Sequence, residues 1–330
     1  VDPHIETFDP AVTGADDLAS WTSVFTDGQS ELSGGAPAPA EELAARLRAG
    51  RAGRAWRWAA RASRGHAIHG VAELRPRHHD ERIGFLRLFV ADTARRRGSG
   101  RRLREAVVAE ARAQGMDRLQ CTVLVGEPGE RFVRSSPYLR SLVRLELHKQ
   151  YLDEETLRRC WSVAATPARG YRLTHWEGAV PEPLAASFGR VMAHVGDAPG
   201  TQARQGALAW DVARVREWER RVTEDGSRLV VGAALDRTSD LVVAATVSTV
   251  SRGSVADQHD TAVLPAHRRK GLASRVKATQ ALRVHDLFPH VEAVTVTVDR
   301  ENRGMLAVNR SLRYQLVSER LLVEEGLERR

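Results

Sequence analysis

Apolar and polar positions follow two rhythms along this chain, and the same succession of rhythms occurs in each half. Alternation from Ile83 to Val90 predicts a strand, and Leu103, Val107 and Ala111 then recur at helical spacing. A β-branched run from Leu119 to Val125 predicts the next strand. In the second half Thr261-Ala262-Val263-Leu264 leads into a helical pattern of Val276, Ala278, Leu282 and Leu287, and Val291 to Val298 reads as the strand that follows. Further strands are predicted upstream, at Ala55 to Ala62 and Ala67 to Leu74 in one half and at Leu229 to Leu235 and Leu241 to Val250 in the other. Helical patterns precede them at Ala40 to Arg48, at Leu184 to Val195 and at Val212 to Val222. Each half therefore reads as α/β (α+β), with a mixed central sheet flanked by helices.

Between the strand and the helix of each half lies the same turn. Arg95-Arg96-Arg97-Gly98-Ser99-Gly100 and Arg268-Arg269-Lys270-Gly271-Leu272-Ala273 share Arg-x-x-Gly-x-(Gly/Ala), 173 residues apart. That offset, about half of the 330 residues, predicts a duplicated domain. The turn signal Pro167-Ala168-Arg169-Gly170, after a helical segment near Glu154 to Arg159, sets the expected boundary, giving domains 1–168 and 169–330. Gly196 to Gly206 reads as an exposed loop inside the second domain.

Composition removes several classes of function. No run approaches the roughly 18 apolar residues that span a bilayer, and Val1-Asp2-Pro3-His4 lacks the plan of a signal peptide, so a soluble cytoplasmic protein with no membrane partner is expected. Cys121 and Cys160 are too few for a disulfide framework or a zinc site and read as packing thiols. The net charge of +8 comes from arginines spread through every segment, with Lys149, Lys270 and Lys277 the only lysines. Scattered arginine without interleaved aromatics argues against nucleic acid and suits a small anionic ligand. His66-Ala67-Ile68-His69 and His78-His79-Asp80 lack metal-ligand spacing, and no metal is expected. Trp56, Trp58, Trp161, Trp176, Trp210 and Trp218 read as core or interface anchors, with Trp210, Asp211 and Trp218 also placed to edge an acceptor pocket.

A turn that presents successive backbone N–H groups at a helix N-terminus binds anionic oxygens, through unsatisfied donors and the positive end of the helix dipole. Glycines allow close approach, and neighbouring cations add charge-assisted bonds. Neither turn satisfies the Walker A or the three-glycine dinucleotide rule.

With these residues the chain resembles the GNAT superfamily of acyl-CoA-dependent N-acyltransferases, whose pyrophosphate motif is (Gln/Arg)-x-x-Gly-x-(Gly/Ala). The resemblance is to tandem members such as the mycothiol-synthase-like proteins, and it is strongest over 258–316, where Asp299-Arg300-Glu301-Asn302 and Met305 to Tyr314 look like the end of the fifth strand and the fourth helix. It implies two domains, each with a splayed fourth strand and a CoA pyrophosphate turn. Acetyl-CoA is the implied acyl donor and a small primary amine the implied acceptor, in a monomer or homodimer. A metabolite amine, an amino sugar, an aminophosphonate or other anionic intermediate of specialised metabolism and a peptide N-terminus all fit, and the arginine surplus points to an acceptor bearing phosphate or phosphonate. Cofactor contacts are implied at Val263, Leu264, Arg268, Arg269, Lys270, Gly271, Leu272, Ala273 and Asn302, and in the first half at Val90, Arg95, Arg96, Arg97, Gly98, Ser99 and Gly100. A backbone N–H near Val263 or Leu264 would polarise the thioester, Asp260 would take the amine proton, and Asn309 stands where relatives carry a tyrosine that serves the leaving thiolate. Asn302 reads equally as a helix cap. Arg313 replaces the glycine that usually closes that helix. The first half, with Pro128 and Pro137 across its counterpart of the fourth helix, is expected to be degenerate or structural and the second catalytic. The rival readings are a CoA-binding sensor or scaffold that catalyses nothing, and a basic nucleic-acid binder.

Overall fold

In the computed structural model, which describes residues 2–33, 39–50, 54–63, 65–77, 80–197, 210–223 and 226–327, the chain divides into two units, 1–142 with 320–330, and 143–319. Unit 1 begins with β1 (His4–Thr7), α1 (Ala15–Ser33), α2 (Ala40–Arg48), β2 (Trp56–Arg61), β3 (Ile68–Arg77) and β4 (Asp80–Val90). It continues through α3 (Ser99–Ala113), β5 (Arg118–Leu124) and α4 (Pro128–Arg134). Strand β6 (Leu139–Tyr151) carries the chain into unit 2, with α5 (Glu154–Ala165), β7 (Tyr171–Glu177), α6 (Glu182–Ala193) and α7 (Val212–Val222). Then come β8 (Arg228–Asp236), β9 (Val242–Val250), β10 (Val255–Val263), α8 (Leu272–Leu287), β11 (Ala293–Asp299), α9 (Arg303–Ser311) and β12 (Gln315–Gly326).

Each unit is built on a mixed sheet in which one parallel pair interrupts antiparallel neighbours. In unit 1 the order is β1-β2-β3-β4-β5-β12, parallel only between β4 and β5. In unit 2 it is β7-β8-β9-β10-β11-β6, parallel only between β10 and β11. Residues 143–151 of β6 thus serve the second unit, and 320–326 of β12 return to the first. This exchange is why the units differ from the expected domains 1–168 and 169–330. Pro167 to Gly170 is a connection inside unit 2, closed by the Tyr171 N–H on the Ala168 carbonyl at 2.9 Å. Helix α5, before it, packs Leu157 and Cys160 against Ala278, Ala281 and Val284 of α8.

The two faces of the unit 1 sheet follow the alternation of its strands. Trp58, Ala60, Ala72 and Leu74 face Leu103, Val107 and Ala111 of α3. Ala59 and Val71, one residue out of phase, face Leu18, Trp21 and Phe25 of α1. Helix α1 was not predicted, because Thr, Ser, Asp and Gly dilute its apolar stripe, although Leu18, Trp21 and Phe25 keep helical spacing. In unit 2, Phe188 and Met192 of α6 and Val215 and Trp218 of α7 cover one face. Helix α8 lies so close over the other that a Cβ on Gly232 of β8 would stand 2.5 Å from the Val276 carbonyl oxygen. The predicted loop Gly196 to Gly206 begins in a 3₁₀ turn, His194–Asp197, and from residue 198 lies outside the described residues.

Candidate functional site

Hydrogen bonding between the parallel strands stops partway in both units. In unit 1, β4 pairs with β5 from Ile83 to Phe85, and Leu86 to Val90 continue without that neighbour. In unit 2, β10 pairs with β11 from Val255 to Gln258, and residues 259–263 diverge. Each sheet therefore opens into a wedge just ahead of its arginine-glycine turn, which is the splayed strand that the resemblance implies.

The two turns agree bond by bond. In each, a 3₁₀ turn leads in, at Asp92–Ala94 and Pro265–His267. The second arginine takes a left-handed backbone, Arg96 at φ 63° and Arg269 at φ 60°, and so does the capping glycine, Gly98 at φ 84° and Gly271 at φ 71°. Such conformations are uncommon outside glycine and persist where the surroundings enforce them. Each turn thus runs from an extended first arginine through two left-handed residues to the mouth of a helix that no side chain caps, where the first N–H groups of the helix are left for an anion.

The first arginine of each turn is bonded back into the protein. Arg95 Nε donates to the Val90 carbonyl at 2.9 Å and Arg268 Nε to the Val263 carbonyl at 3.0 Å. Their remaining nitrogens meet Asp92 and Asp197, each at 2.6 Å. Arg95 and Arg268 thus fasten the turn to the strand end, and the other cations of the turn are Arg96 and Arg97 in unit 1 and Arg269 and Lys270 in unit 2. Lys270 Nζ also donates to the Tyr171 hydroxyl at 2.9 Å, and that hydroxyl is 2.9 Å from His267 Nδ1. Ser99 opens α3 with its hydroxyl 2.9 Å from His69 Nε2, Gly100 follows in the first helical turn, and Leu272 and Ala273 open α8 with Leu272 buried.

The N–H groups of Val263 and Leu264 point to opposite edges of the strand. Leu264 N–H donates to the Val243 carbonyl at 2.9 Å, as Ala91 N–H does to His69 at 2.8 Å in unit 1. Along an antiparallel strand these bonds alternate in direction, so the N–H groups of Val263 and Val90 point to the opposite edge, into the wedge. The Leu264 N–H is therefore engaged within the sheet.

The units differ at the strand itself. Strand β10 carries a bulge between Gln258 and Thr261, so that His259 and Asp260 share one place opposite β9. The bulge puts Gln258 and Thr261, three residues apart, on one side, both bonded to the Thr246 hydroxyl at 3.1 and 2.7 Å. Asp260 is half-buried at the bulge, while His259 and Asp257 bond Thr249 and Thr295. In β4 the pairing with β3 is regular from Gly84 to Val90. Three residues before the strand end, where unit 2 has Asp260, unit 1 has Arg87.

Helix α9 buries Asn309 completely, and neither its Nδ2 nor its Oδ1 has a hydrogen-bond partner among the described residues. A buried amide left unpaired costs about 1–3 kcal/mol, so it stands out from the rest of the helix. The corresponding position in unit 1, five before Tyr138, is the buried Val133. Asn302 is the N-cap of α9, its Oδ1 accepting from Met305 N–H at 3.1 Å. Arg313 does adopt the left-handed geometry of the glycine it replaces, at φ 64°, where Tyr314 N–H closes the helix end on the Asn309 carbonyl at 3.0 Å, and its guanidinium makes two 2.8 Å contacts to the Glu155 carboxylate.

Other expected features are structural. Trp210 and Trp218 pack edge to face, Trp218 and Trp176 flank Phe188, and the exposed Asp211 caps α7 by accepting from Arg214 N–H at 2.7 Å. Burial pushes the Cys121 thiol up to about 12 and the Cys160 thiol to about 11, consistent with packing roles. Among the described residues no cluster of His, Cys, Asp or Glu is placed to hold a metal, and no helix is long and apolar enough to cross a membrane. His78 and His79 lie outside the described residues.

Comparison with known proteins agrees with this geometry. Residues 21–132 match the Acetyltransferase (GNAT) family model, in the half whose local motifs had looked the weaker. No curated protein matches the sequence. Among solved structures, a tandem GNAT protein from the clavulanic acid biosynthesis pathway aligns over 100% of both chains at a TM-score of 0.76 and 19% identity. A GCN5-related N-acetyltransferase from Sphaerobacter thermophilus covers 99% of this chain and 96% of its own at 0.66 and 14% identity. A glucosamine N-acetyltransferase region of a fungal multi-domain GH3 β-N-acetylglucosaminidase covers 97% of this chain and 38% of its own at 0.61 and 14% identity. The fold is that of tandem GNAT proteins.

Proposed function

We propose that this chain, a tandem acetyltransferase of the GNAT fold, transfers the acetyl group of acetyl-CoA to the primary amine of a small metabolite, and that the reaction belongs to unit 2. The observation that carries the reading is the bulge at His259 and Asp260, inside the wedge and ahead of the Gly271 turn. The turn's N–H groups, with Arg269 and Lys270, suit a pyrophosphate, and the unpaired Asn309 amide suits a polar group deeper in the cleft. Acetyl-CoA supplies the activated acyl carbon. Val263 N–H donates to the carbonyl oxygen as negative charge builds there. Asp260 takes the proton of the attacking amine. The new C–N bond forms as the C–S bond breaks, and Asn309 donates a hydrogen bond to the departing sulfur. An amide is no acid at neutral pH, so the thiolate takes its proton from water.

Unit 1 keeps the turn and the wedge but has no bulge at Arg87 and has Val133 in place of Asn309, which supports a unit that binds CoA without transferring its acyl group. The biosynthetic setting of the tandem structural neighbour supports a specialised-metabolism amine as acceptor, with no nucleic acid involved. A non-catalytic CoA sensor is the second reading, favoured by the lack of an ionisable acid at both Val133 and Asn309. Thiol release from acetyl-CoA with pooled primary amines separates them. We expect release by the wild type and a kcat lower by about 10²–10⁴-fold in Asp260→Asn, with unchanged acetyl-CoA affinity. No release with any amine would favour the sensor.

A further inference from the structure

Beside the bulge, the two units place residues of opposite character at equivalent positions. Strand pairing sets Thr246 across from Thr261 and Ser248 across from Gln258 in unit 2, where unit 1 sets Ala72 across from Leu88 and Leu74 across from Leu86. On the covering helix the equivalent pair is Gln280 and Val107, 173 residues apart like the two turns. Unit 1 packs Ala72, Leu74, Leu86 and Val107 into an apolar core. Unit 2 buries Thr246, Ser248, Gln258 and Gln280 in their stead, none more than 5% exposed.

This polar group is bonded to completion. Gln258 Nε2 donates to Thr246 Oγ1 at 3.1 Å and to Gln280 Oε1 at 2.7 Å, and its Oε1 accepts from Lys277 Nζ and from the Tyr314 hydroxyl. Gln280 Nε2 donates to the Val230 and Thr246 carbonyls at 2.8 and 3.1 Å, and its Oε1 accepts from Ser248 as well as from Gln258. Each amide thus fills both its donors and both its acceptor sites. A buried network with nothing left over favours one arrangement, because any shift strands a polar group away from water. Apolar side chains hold the same strands together in unit 1, so cohesion alone does not require it. What the network grips is the bulge. Thr246, fixed through its carbonyl by Gln280 and through its hydroxyl by Gln258, shares that hydroxyl with Thr261 Oγ1 at 2.7 Å. One side chain therefore holds β10 on both sides of His259 and Asp260. Asp260 immediately precedes Thr261, and Val263 lies two residues after it.

On the acyl-transfer reading of unit 2, on which this rests, we propose that Thr246 is a positioning residue for the reaction: its hydroxyl locks the β10 bulge in the register that sets Asp260 and the Val263 N–H about one reacting centre. It touches neither substrate and acts through Thr261 and Gln258. A displacement of about 1 Å at a reacting group can slow a reaction about 10²-fold, so the lock bears on rate rather than on CoA binding.

The test compares the full-length Thr246→Val chain, which loses the hydroxyl at nearly constant shape, with Thr246→Ser, which keeps it, and adds Thr261→Val and the double valine variant. Thiol release from acetyl-CoA with pooled primary amines, calorimetric acetyl-CoA affinity and amide hydrogen exchange over residues 255–264 are measured. We expect Thr246→Val to lower kcat at least about tenfold at unchanged acetyl-CoA affinity and to speed exchange around the bulge, and Thr246→Ser to restore both. Thr261→Val should also slow turnover, and the double variant should lose no more than Thr246→Val, since the two hydroxyls make one bridge. Turnover of Thr246→Val at the wild-type rate overturns the proposal, as do losses that multiply in the double variant. Should Thr246→Val not fold, Thr261→Val, at a half-buried position, decides by the same criterion of kcat at unchanged affinity. A wild type that releases no thiol overturns the acyl-transfer reading and this role with it, whereas an active wild type equalled by Thr246→Val overturns this role alone.

Discussion

Lys277 lies buried with its side-chain nitrogen 4.6 Å from the centre of the Tyr314 ring, and both side chains donate to one amide oxygen, Gln258 Oε1. The segment after α9 is thereby tied to α8 at the point where β10 and β11 part. Gln280, bonded to Gln258 at 2.7 Å and to Ser248 at 2.9 Å, completes the polar group.

Burial drops Lys277 from 10.5 to about 7. Between these values the unfolded chain holds a proton that the folded chain lacks, so this group makes stability rise with pH from about 7 to 10.5. Lys277→Met should remove that slope and stabilise the fold most at or below pH 7, by about 1–4 kcal/mol. Urea unfolding at pH 6 and pH 9 checks it. Equal differences between variant and wild type at both pH values would contradict the assignment.

Glu73 behaves in the opposite sense. Burial alone would raise its carboxyl, but Arg75, Arg87 and Arg57 outweigh burial and hold it at about 2, against 4.5. Its contribution is complete above about pH 4.5 and fades as pH falls toward 2. Glu73→Gln should cost about 3–5 kcal/mol at pH 7 and far less near pH 2, as followed by denaturant midpoints across that range.

Asn309 offers a test in which stability and activity part. Replacing an unpaired buried amide with Leu should leave the fold as stable or improve it by about 1 kcal/mol. Acetyl transfer should slow about 10²-fold if the amide serves the departing sulfur. A loss of stability with unchanged turnover would assign Asn309 to packing.

Much of this was legible in the chain, and what was not has physical causes. The repeated turn, the strands around it and α7, whose predicted span 212–222 is the observed one, follow from periodicity and glycine placement. The exchange of β6 and β12 does not, because period-two alternation marks a strand without naming its neighbour. Nor does sequence tell whether the guanidinium of Arg95 or Arg268 turns outward to a phosphate or back to a carbonyl five residues earlier. Arg313 shows the same limit, since its guanidinium pairs with Glu155, 158 residues away. The bulge at His259 and Asp260 carries no glycine or proline to announce it, and it is the feature that sets the two wedges apart.

Two acetyl-CoA sites and one reactive centre are the core of the account, and calorimetric titration of acetyl-CoA with parallel thiol-release assays tests them together. The wild type should bind two equivalents, and Gly98→Glu and Gly271→Glu one each, since a carboxylate in either turn repels phosphate and a side chain there strains the left-handed backbone. Only Gly271→Glu should abolish turnover. Unchanged binding in both variants, or turnover lost in Gly98→Glu alone, would contradict it.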